Sequence, residues 1–349
     1  MGRVSKGIKL LVAILVILVI ALAIILVSKM YNTEDKEVID LGTVEVNQQV
    51  EEVQQKQVEI FSGSDRSIAV MIDNQSGARP QAGLNDAYMV YDIIVEGGLS
   101  RLMAIYKGKD LEKIGPVRSS RHYFLDYALE NDSIYVHYGW SPKAESDISK
   151  LNVDNINGLT HSDTFWRVKD KKAPHNAVTS SAKILDQAKR FGYNTQSNKE
   201  SVLNYTTEEV NLEGEEVITA TNVAMPYSKY YRAGFVYDET TKRYIRYEDR
   251  KEQLDWTTGE KITTKNIIIT FAKNADLKDG TDKGRQELYN IGDLEGYYIT
   301  NGKAIKIICS KSSRREQTVY KDLQGNEIKV NDGNTFIQIC PIDTKVTFE

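Results

Sequence analysis

Only two cysteines, Cys309 and Cys340, occur among 349 residues, too few for a disulfide-stapled scaffold. No CxxC or HxxxH spacing accompanies them, so the chain shows no zinc ligand set and no metal is expected. Both lie near the C-terminus in the strand-like runs KAIKIICSKS and NTFIQICPID. If those strands are neighbours the two can pair as a disulfide; otherwise they are buried free thiols. No cysteine falls in the first half and no GxSxG occurs, so a recognisable nucleophile motif is missing. Lys and Arg (45) and Asp and Glu (49) are interspersed, for a net charge of −4. Without a basic stripe, a nucleic-acid partner is excluded. No internal repeat, low-complexity tract or cofactor motif is visible; Gly97-Gly98 alone is as much a turn as a phosphate loop.

One apolar run stands out. Residues 10–27 contain no polar side chain and no wet face, unlike a buried soluble helix. As a helix the run covers most of a hydrocarbon core about 30 Å thick. Arg3, Lys6 and Lys9 precede it, while Lys29 is soon followed by Glu34, Asp35 and Glu37. The charge bias predicts a single-pass anchor with a cytoplasmic N-terminus, a membrane partner and extracytoplasmic domains. A cleaved signal peptide would carry a shorter apolar core with a small-residue site after it. Here Ala21-Leu22-Ala23 lies inside the run. No cysteine follows, so a lipid-modified N-terminus is not expected.

The chain beyond is expected to be α+β. Residues 1–28 form the cytoplasmic tip and anchor, and 29–61 a Glu/Gln/Val-rich spacer. A mixed α/β domain spans 62–205 and a β-rich domain 206–349. SIAVMIDN, AYMVYDIIVEGG, SRLMAIYKG and SIYVHYGW read as strands. RHYFLDYALEND and SSAKILDQAKRFG read as helices, the latter capped by Gly192. Residues 193–221 are polar and read as a linker or exposed insertion. KYYRAGFVY, KRYIRYED, NIIITFAK, GYYIT, KAIKIIC, TVYKD and TFIQIC then predict a small antiparallel sheet or sandwich, with Asn301-Gly302 as a type I′ hairpin turn.

Five polar clusters interrupt the first domain. They are Asp73-Asn74 with Ala78-Arg79-Pro80-Gln81-Ala82-Gly83-Leu84; Glu96-Gly97-Gly98 leading to Arg101; Gly115-Pro116-Val117-Arg118-Ser119-Ser120-Arg121; His137-Tyr138-Gly139-Trp140-Ser141-Pro142; and Arg167 with Ala173-Pro174-His175-Asn176. As an ordered set they resemble the YerB-like family of bacterial envelope lipoproteins, strongly over residues 67–180. The resemblance extends toward the C-terminus through Gly333-Asn334-Thr335-Phe336-Ile337-Gln338-Ile339-Cys340-Pro341. It implies two domains, an extracytoplasmic location and no established biochemical activity. This chain departs from the family in having an apolar run in place of a lipidated cysteine, His122 where a proline is expected, and Trp140 where a glycine is common.

Chemically, residues 115–121 sit between a strand and a helix expected to start near Ser120. The helix N-terminus, two hydroxyls, Arg118 and Arg121 would suit a phosphate, pyrophosphate or carboxylate, with Arg101 and Arg167 as additions. Equally, Ser119 or Ser120 caps the helix while the arginines pair with carboxylates such as Glu96. His137 and His175, with Asp73 or Glu96, are candidates for acid/base work, and each is also a plain hydrogen-bonded structural group. His122 and His161 carry no particular expectation. The candidate ligand-binding set is therefore Asp73, Arg79, Glu96, Arg101, Arg118, Ser119, Arg121, His137, Arg167, His175 and Asn176. The favoured expectation is a non-enzymatic module binding a cell-wall polymer, anionic ligand or envelope protein. The alternative is a transferase or hydrolase acting on a phosphate-bearing envelope substrate. Convergence of the three arginines with Asp73, Glu96 or His137 separates the two.

Overall fold

A strand buried on both faces reads as a continuous apolar run rather than an alternation, and Ile68–Asp73 is such a strand, with all six residues buried. The computed structural model describes residues 20–25 and 57–349. The apolar run 10–27 lies outside the described residues except for 20–25, which are helical and exposed. The spacer lies outside them as far as residue 56. Among the described residues no helix is long and apolar enough to cross a membrane.

From residue 57 onward the chain forms one compact unit. Its strands in chain order are β1 (Ile68–Asp73), β2 (Met89–Ile94), β3 (Ser100–Tyr106), β4 (Ile134–His137), β5 (Asn155–Asn157), β6 (Trp166–Arg167), β7 (Ala177–Val178), β8 (Tyr205–Thr206), β9 (Ile218–Thr219), β10 (Asn222–Pro226) and β11 (Arg232–Asp238). There follow β12 (Arg243–Glu248), β13 (Lys251–Glu252), β14 (Thr263–Thr264), β15 (Asn266–Asp276), β16 (Gln286–Tyr289), β17 (Gly292–Thr300), β18 (Lys303–Lys311), β19 (Val319–Lys321), β20 (Val330–Asn331), β21 (Thr335–Pro341) and β22 (Thr347–Phe348). Three helices join them: α1 (Phe124–Glu130), α2 (Pro142–Lys150) and α3 (Ser181–Arg190).

The N-terminal mixed part and the β-rich part share one 12-stranded sheet, ordered β19-β18-β17-β15-β21-β2-β3-β1-β4-β5, with β16 and β9 alongside. β21 is inserted parallel to both β2 and β15. Its inner residues, Phe336 to Cys340, are buried throughout. A second, six-stranded sheet runs β13-β12-β11-β10-β22, with β14 also paired to β12. Its Phe235 and Tyr244 pack with Ile72, Val90 and Phe336 of the large sheet and Ile184 of α3. Tyr91, Met103 and Ile337 pack with Phe124 and Ala128 of α1 and Ile148 of α2.

The expected strands of the first part form, as does the helix over 181–190, capped by Ser180 and followed by Gly192 at φ +71°. Asn301 and Gly302 turn between β17 and β18 with positive φ at both positions. Other expectations need correction. The β-rich part forms the expected small antiparallel sheet only with β10–β14 and β22, because its longest strands instead complete the sheet begun by β1–β5. Residues 193–221 are not an exposed insertion: Val202, Leu203 and Leu212 are buried, and β8 and β9 pair with β20 and β18. No disulfide forms. Cys309 on β18 and Cys340 on β21 are free and buried, with β17 and β15 between their strands.

The two sheets also meet through charge. Asp92, Arg246 and Glu248 are each 0 % exposed. Arg246 stands 3.4 Å from both carboxylates, Tyr231 donates to Asp92, and Arg79 reaches Glu248 from the other side. Burial raises the Asp92 carboxyl and pushes Glu248 up to about 8 against the pull of Arg246 and Arg79. Removing Arg246 leaves the buried Asp92 with only the Tyr231 hydroxyl and Glu248 with only Arg79. We expect Arg246→Met to lose about 3–5 kcal/mol of stability in urea unfolding. Adding Asp92→Asn to that variant is expected to restore part of the loss, since the buried Asp92 charge is then gone while Glu248 keeps Arg79.

Candidate functional site

Asp73 ends β1, directly opposite Arg101 at the start of β3. The segment carrying Arg118 runs beside this end. Asp73 N–H donates to Pro116 O and Arg118 N–H to Met71 O, at 2.8 and 2.9 Å. Gly115, at φ +137°, has no room for a side chain: a Cβ there would lie 2.9 Å from Val117 N. The Asp73 carboxylate is 1 % exposed. His175 Nδ1 hydrogen-bonds its Oδ2 at 2.7 Å, and Arg118 Nε lies 3.0 Å from the same oxygen. Gln75 N–H donates to Oδ1. Gly77 lets His175 approach; a Cβ there would sit 3.0 Å from the imidazole Cδ2.

A second cluster stands beside this pair. Arg121 grips Glu96 with Nε, at 2.9 Å, and Nη2. Arg101 lies 3.8 Å from Glu96 and donates to the Ser119 carbonyl. Burial raises the Glu96 carboxyl, but the Arg121 hydrogen bonds and the two positive charges outweigh it and hold it at about 2. Burial and then the neighbouring Arg121 lower Arg101 to about 10, Glu96 and Asp73 opposing. Ser119 Oγ donates to Tyr138 O. Arg101, Arg118 and Arg121 therefore converge with Asp73, Glu96 and His175. Arg121 is spent on Glu96 and the Ser120 carbonyl. The two Nη groups of Arg118 have no partner among the described residues, and its side chain is 20 % exposed.

The remaining candidates are placed otherwise. His137 is 0 % exposed, with Nδ1 2.8 Å from Gly139 O and Nε2 3.1 Å from Asn155 Oδ1. It is a structural group, because both nitrogens are engaged away from the arginines. Arg79 donates to Asn74 O and pairs with Glu248, so it clamps the 78–84 segment to β12. Arg167 binds Asn176 Oδ1 at 2.6 Å and lies over the Tyr138 ring, fixing the loop that presents His175. The helix expected near Ser120 starts only at Phe124 and has no side-chain cap. Ser120 instead bridges to Trp140. The loop 115–121 is thus held by strand-like contacts, not by a helix end.

Sequence reasoning missed Lys113, Lys171 and Trp256. Both lysine ammoniums lie on the Trp256 ring, at 4.4 and 4.3 Å from its centroid. Burial lowers Lys171 and Lys113 adds to this, while Asp170 and Asp73 oppose. Trp256 is brought in by the 78–84 segment: its N–H donates to Gln81 O, and Asp255 accepts from Gly83 N–H, both at 2.8 Å. The cluster Lys169-Asp170-Lys171-Lys172 beside the Pro174-His175 loop was the one local signal; Trp256 offered none. Among the described residues no group of three or more His, Cys, Asp and Glu stands placed to hold a metal ion.

A mixed sheet with a polar cluster at its strand ends, shared by two sequence segments, defines a two-part α+β protein. The sequence model described as "Protein of unknown function (DUF3048) N-terminal domain" matches residues 55–194, and its C-terminal counterpart matches 223–337. The chain is 30 % identical over 288 residues to a Bacillus subtilis (strain 168) protein named "Putative lipoprotein YerB", covering 79 % of this chain and 81 % of that one. It is also similar to the crystal structure of the YerB protein from Bacillus subtilis, with a TM-score of 0.73 and 28 % identity over 84 % of this chain and 97 % of that chain. The chain belongs to the YerB-like two-domain family.

The burial of His137 gives a test of its structural role. Burial lowers its pKa from 6.5 to about 4. The unfolded chain therefore takes up a proton that the folded chain refuses as pH falls from about 6.5 to 4, and stability drops over that window. The His137 contribution is at most roughly 3 kcal/mol. Unfolding midpoints measured across pH 4–7 should show a shallower slope in a folded His137→Gln variant. An unchanged slope would contradict the assignment.

Proposed function

We propose that this protein is an extracytoplasmic module, held at the membrane by its N-terminal apolar run, that binds an anionic cell-wall component at the Asp73–Arg118–His175 face. The observation that carries the reading is an excess of positive charge. Three guanidiniums, Arg101, Arg118 and Arg121, surround two carboxylates, and Arg118 presents two unpartnered Nη groups beside them. Lys171 lies near enough to feel the Asp73 charge. A planar donor pair held by a buried carboxylate suits phosphate or carboxylate oxygens. The lipoprotein in the name of the Bacillus relative supports an envelope location, and the sign of the charges flanking residues 10–27 supports a cytoplasmic N-terminus. An envelope protein with an acidic patch is the other partner class that this face suits.

One observation favours an enzymatic reading as second choice. His175 gives Nδ1 to Asp73 and leaves Nε2 without a partner among the described residues. That is how a histidine is oriented as a general base. In that reading Arg118 would hold a phosphate-bearing envelope substrate while His175 moves a proton.

Co-sedimentation of the full-length chain with wall sacculi, with and without their phosphate-bearing polymers, tests the proposal. Binding is expected to require the polymers, to weaken steeply with salt, and to fall at least tenfold in Arg118→Ala that melts like wild type. Equal binding to stripped sacculi would overturn it. Release of phosphate or alcohol from the polymer, abolished by His175→Asn, would move the assignment to the enzymatic reading.

A further inference from the structure

A second site lies on the other side of the 137–140 segment, and nothing in the anion face uses it. A cavity of about 480 Å³ lies along the edge strand β5, between α2 and the residues that follow α3. That strand pairs parallel with β4, which pairs parallel with β1. The volume falls within the roughly 300–1,000 Å³ of small-molecule sites. Its walls include Trp140, Glu145, Asn157, His161, Phe191 and Tyr193.

Asn157 supplies the decisive detail. It is 2 % exposed. Its Oδ1 accepts from Gly139 N–H at 2.9 Å and Leu159 N–H at 3.0 Å, which fixes which end of the amide is oxygen. Its Nδ2 is buried and has no hydrogen-bond partner. A buried amide donor left unpaired costs on the order of 1–3 kcal/mol, and Asn157 lines the cavity, so an acceptor seated there is a candidate partner for it. The other polar groups are arranged for reuse. Thr160 Oγ1 engages His161 Nδ1 at 2.8 Å, leaving Nε2 free toward a ligand. Neither the Trp140 indole N–H nor the Glu145 carboxylate has a hydrogen-bond or ion-pair partner among the described residues. The rings are held in place by edge contacts, His161 on Phe191 at 4.7 Å and Phe191 on Tyr193 at 5.3 Å.

We propose that this cavity binds an uncharged saccharide. Aromatic faces take the C–H side of a pyranose ring, while amide, hydroxyl and carboxylate groups take its hydroxyls. No lysine or arginine lines the cavity and Glu145 is its one carboxylate, so the chemistry turns away phosphate and uronate. An apolar ligand would leave the Asn157 donor unpaired. The site is chemically the opposite of the arginine face, and the proposal stands without it.

The test is titration of the full-length chain, in a detergent without a sugar headgroup, with tetra-N-acetylchitotetraose and with cellotetraose. Tryptophan fluorescence and calorimetry provide the readout. At least one oligosaccharide is expected to bind saturably. Trp140→Ala should weaken binding about tenfold or more. Asn157→Asp, which keeps the oxygen held by Gly139 and Leu159 but loses the donor, should do the same. Glu145→Arg, on the exposed side of α2, should block the cavity without affecting folding and serves if Asn157→Asp does not fold. Arg118→Ala should bind as wild type, so failure of the anion proposal leaves this one standing. No binding of either oligosaccharide at millimolar concentration would overturn it, as would binding indifferent to Trp140→Ala and Glu145→Arg.

Discussion

A carboxylate that is 1 % exposed has to be satisfied from within, and Asp73 is satisfied by three separate stretches of chain. Its own turn supplies Gln75 N–H, the 115–121 loop supplies Arg118, and the 173–176 loop supplies His175. Each stretch is one of the polar clusters visible in the sequence. Their meeting in space thus has a physical cause: they surround one buried charge. The Glu96–Arg121–Arg101 group repeats the pairing beside it, around a less buried carboxylate. Because Arg121 and Arg101 are consumed there, Arg118 alone keeps donors to offer outward.

The second constraint is β21. Parallel pairing to β2 on one side and β15 on the other makes the last long strand of the chain a central strand of the sheet that the first strands begin. The two family segments are therefore not two independent cores. The buried Asp92–Arg246–Glu248 group and the reach of Arg79 to Glu248 stitch the same seam with charge. Part of what looks like a ligand-binding motif is in this way architectural: Arg79, Gln81 and Gly83 fasten the first part to β12 and to the Asp255-Trp256 turn, and so deliver Trp256 to Lys113 and Lys171.

Local patterning made the local elements legible. The apolar runs of β1–β4, the serine-capped helix over 181–190 and the Asn301-Gly302 turn each carry their own signal. What needed long-range information was not legible. TFIQIC reads as a strand, but nothing in it says that it inserts between β2 and β15. Val202, Leu203 and Leu212 are too sparse to mark 193–221 as buried. Ser119-Ser120 looks like a helix cap, yet Ser120 pairs with Trp140 and the helix starts at Phe124. At the site, the sequence offered Arg101, Arg118 and Arg121 converging with Asp73, Glu96 or His137, whereas it is His175 that meets Asp73. His137 differed because its strand buries it beside Tyr135 and Trp140, away from the arginines. Asn157, which no motif marked, became notable only when its unpartnered Nδ2 and the adjoining cavity could be seen together.

The claim that Arg118 is the outward-facing anion donor is tested most directly by NMR of its guanidinium in the full-length protein, on titration with a soluble poly(glycerol phosphate). The account predicts saturable shifts of the Arg118 Nη signals and of His175 Nε2, while Arg121, locked to Glu96, stays still. Movement of Arg121 with a silent Arg118, or no shift at either while the polymer binds, would contradict it.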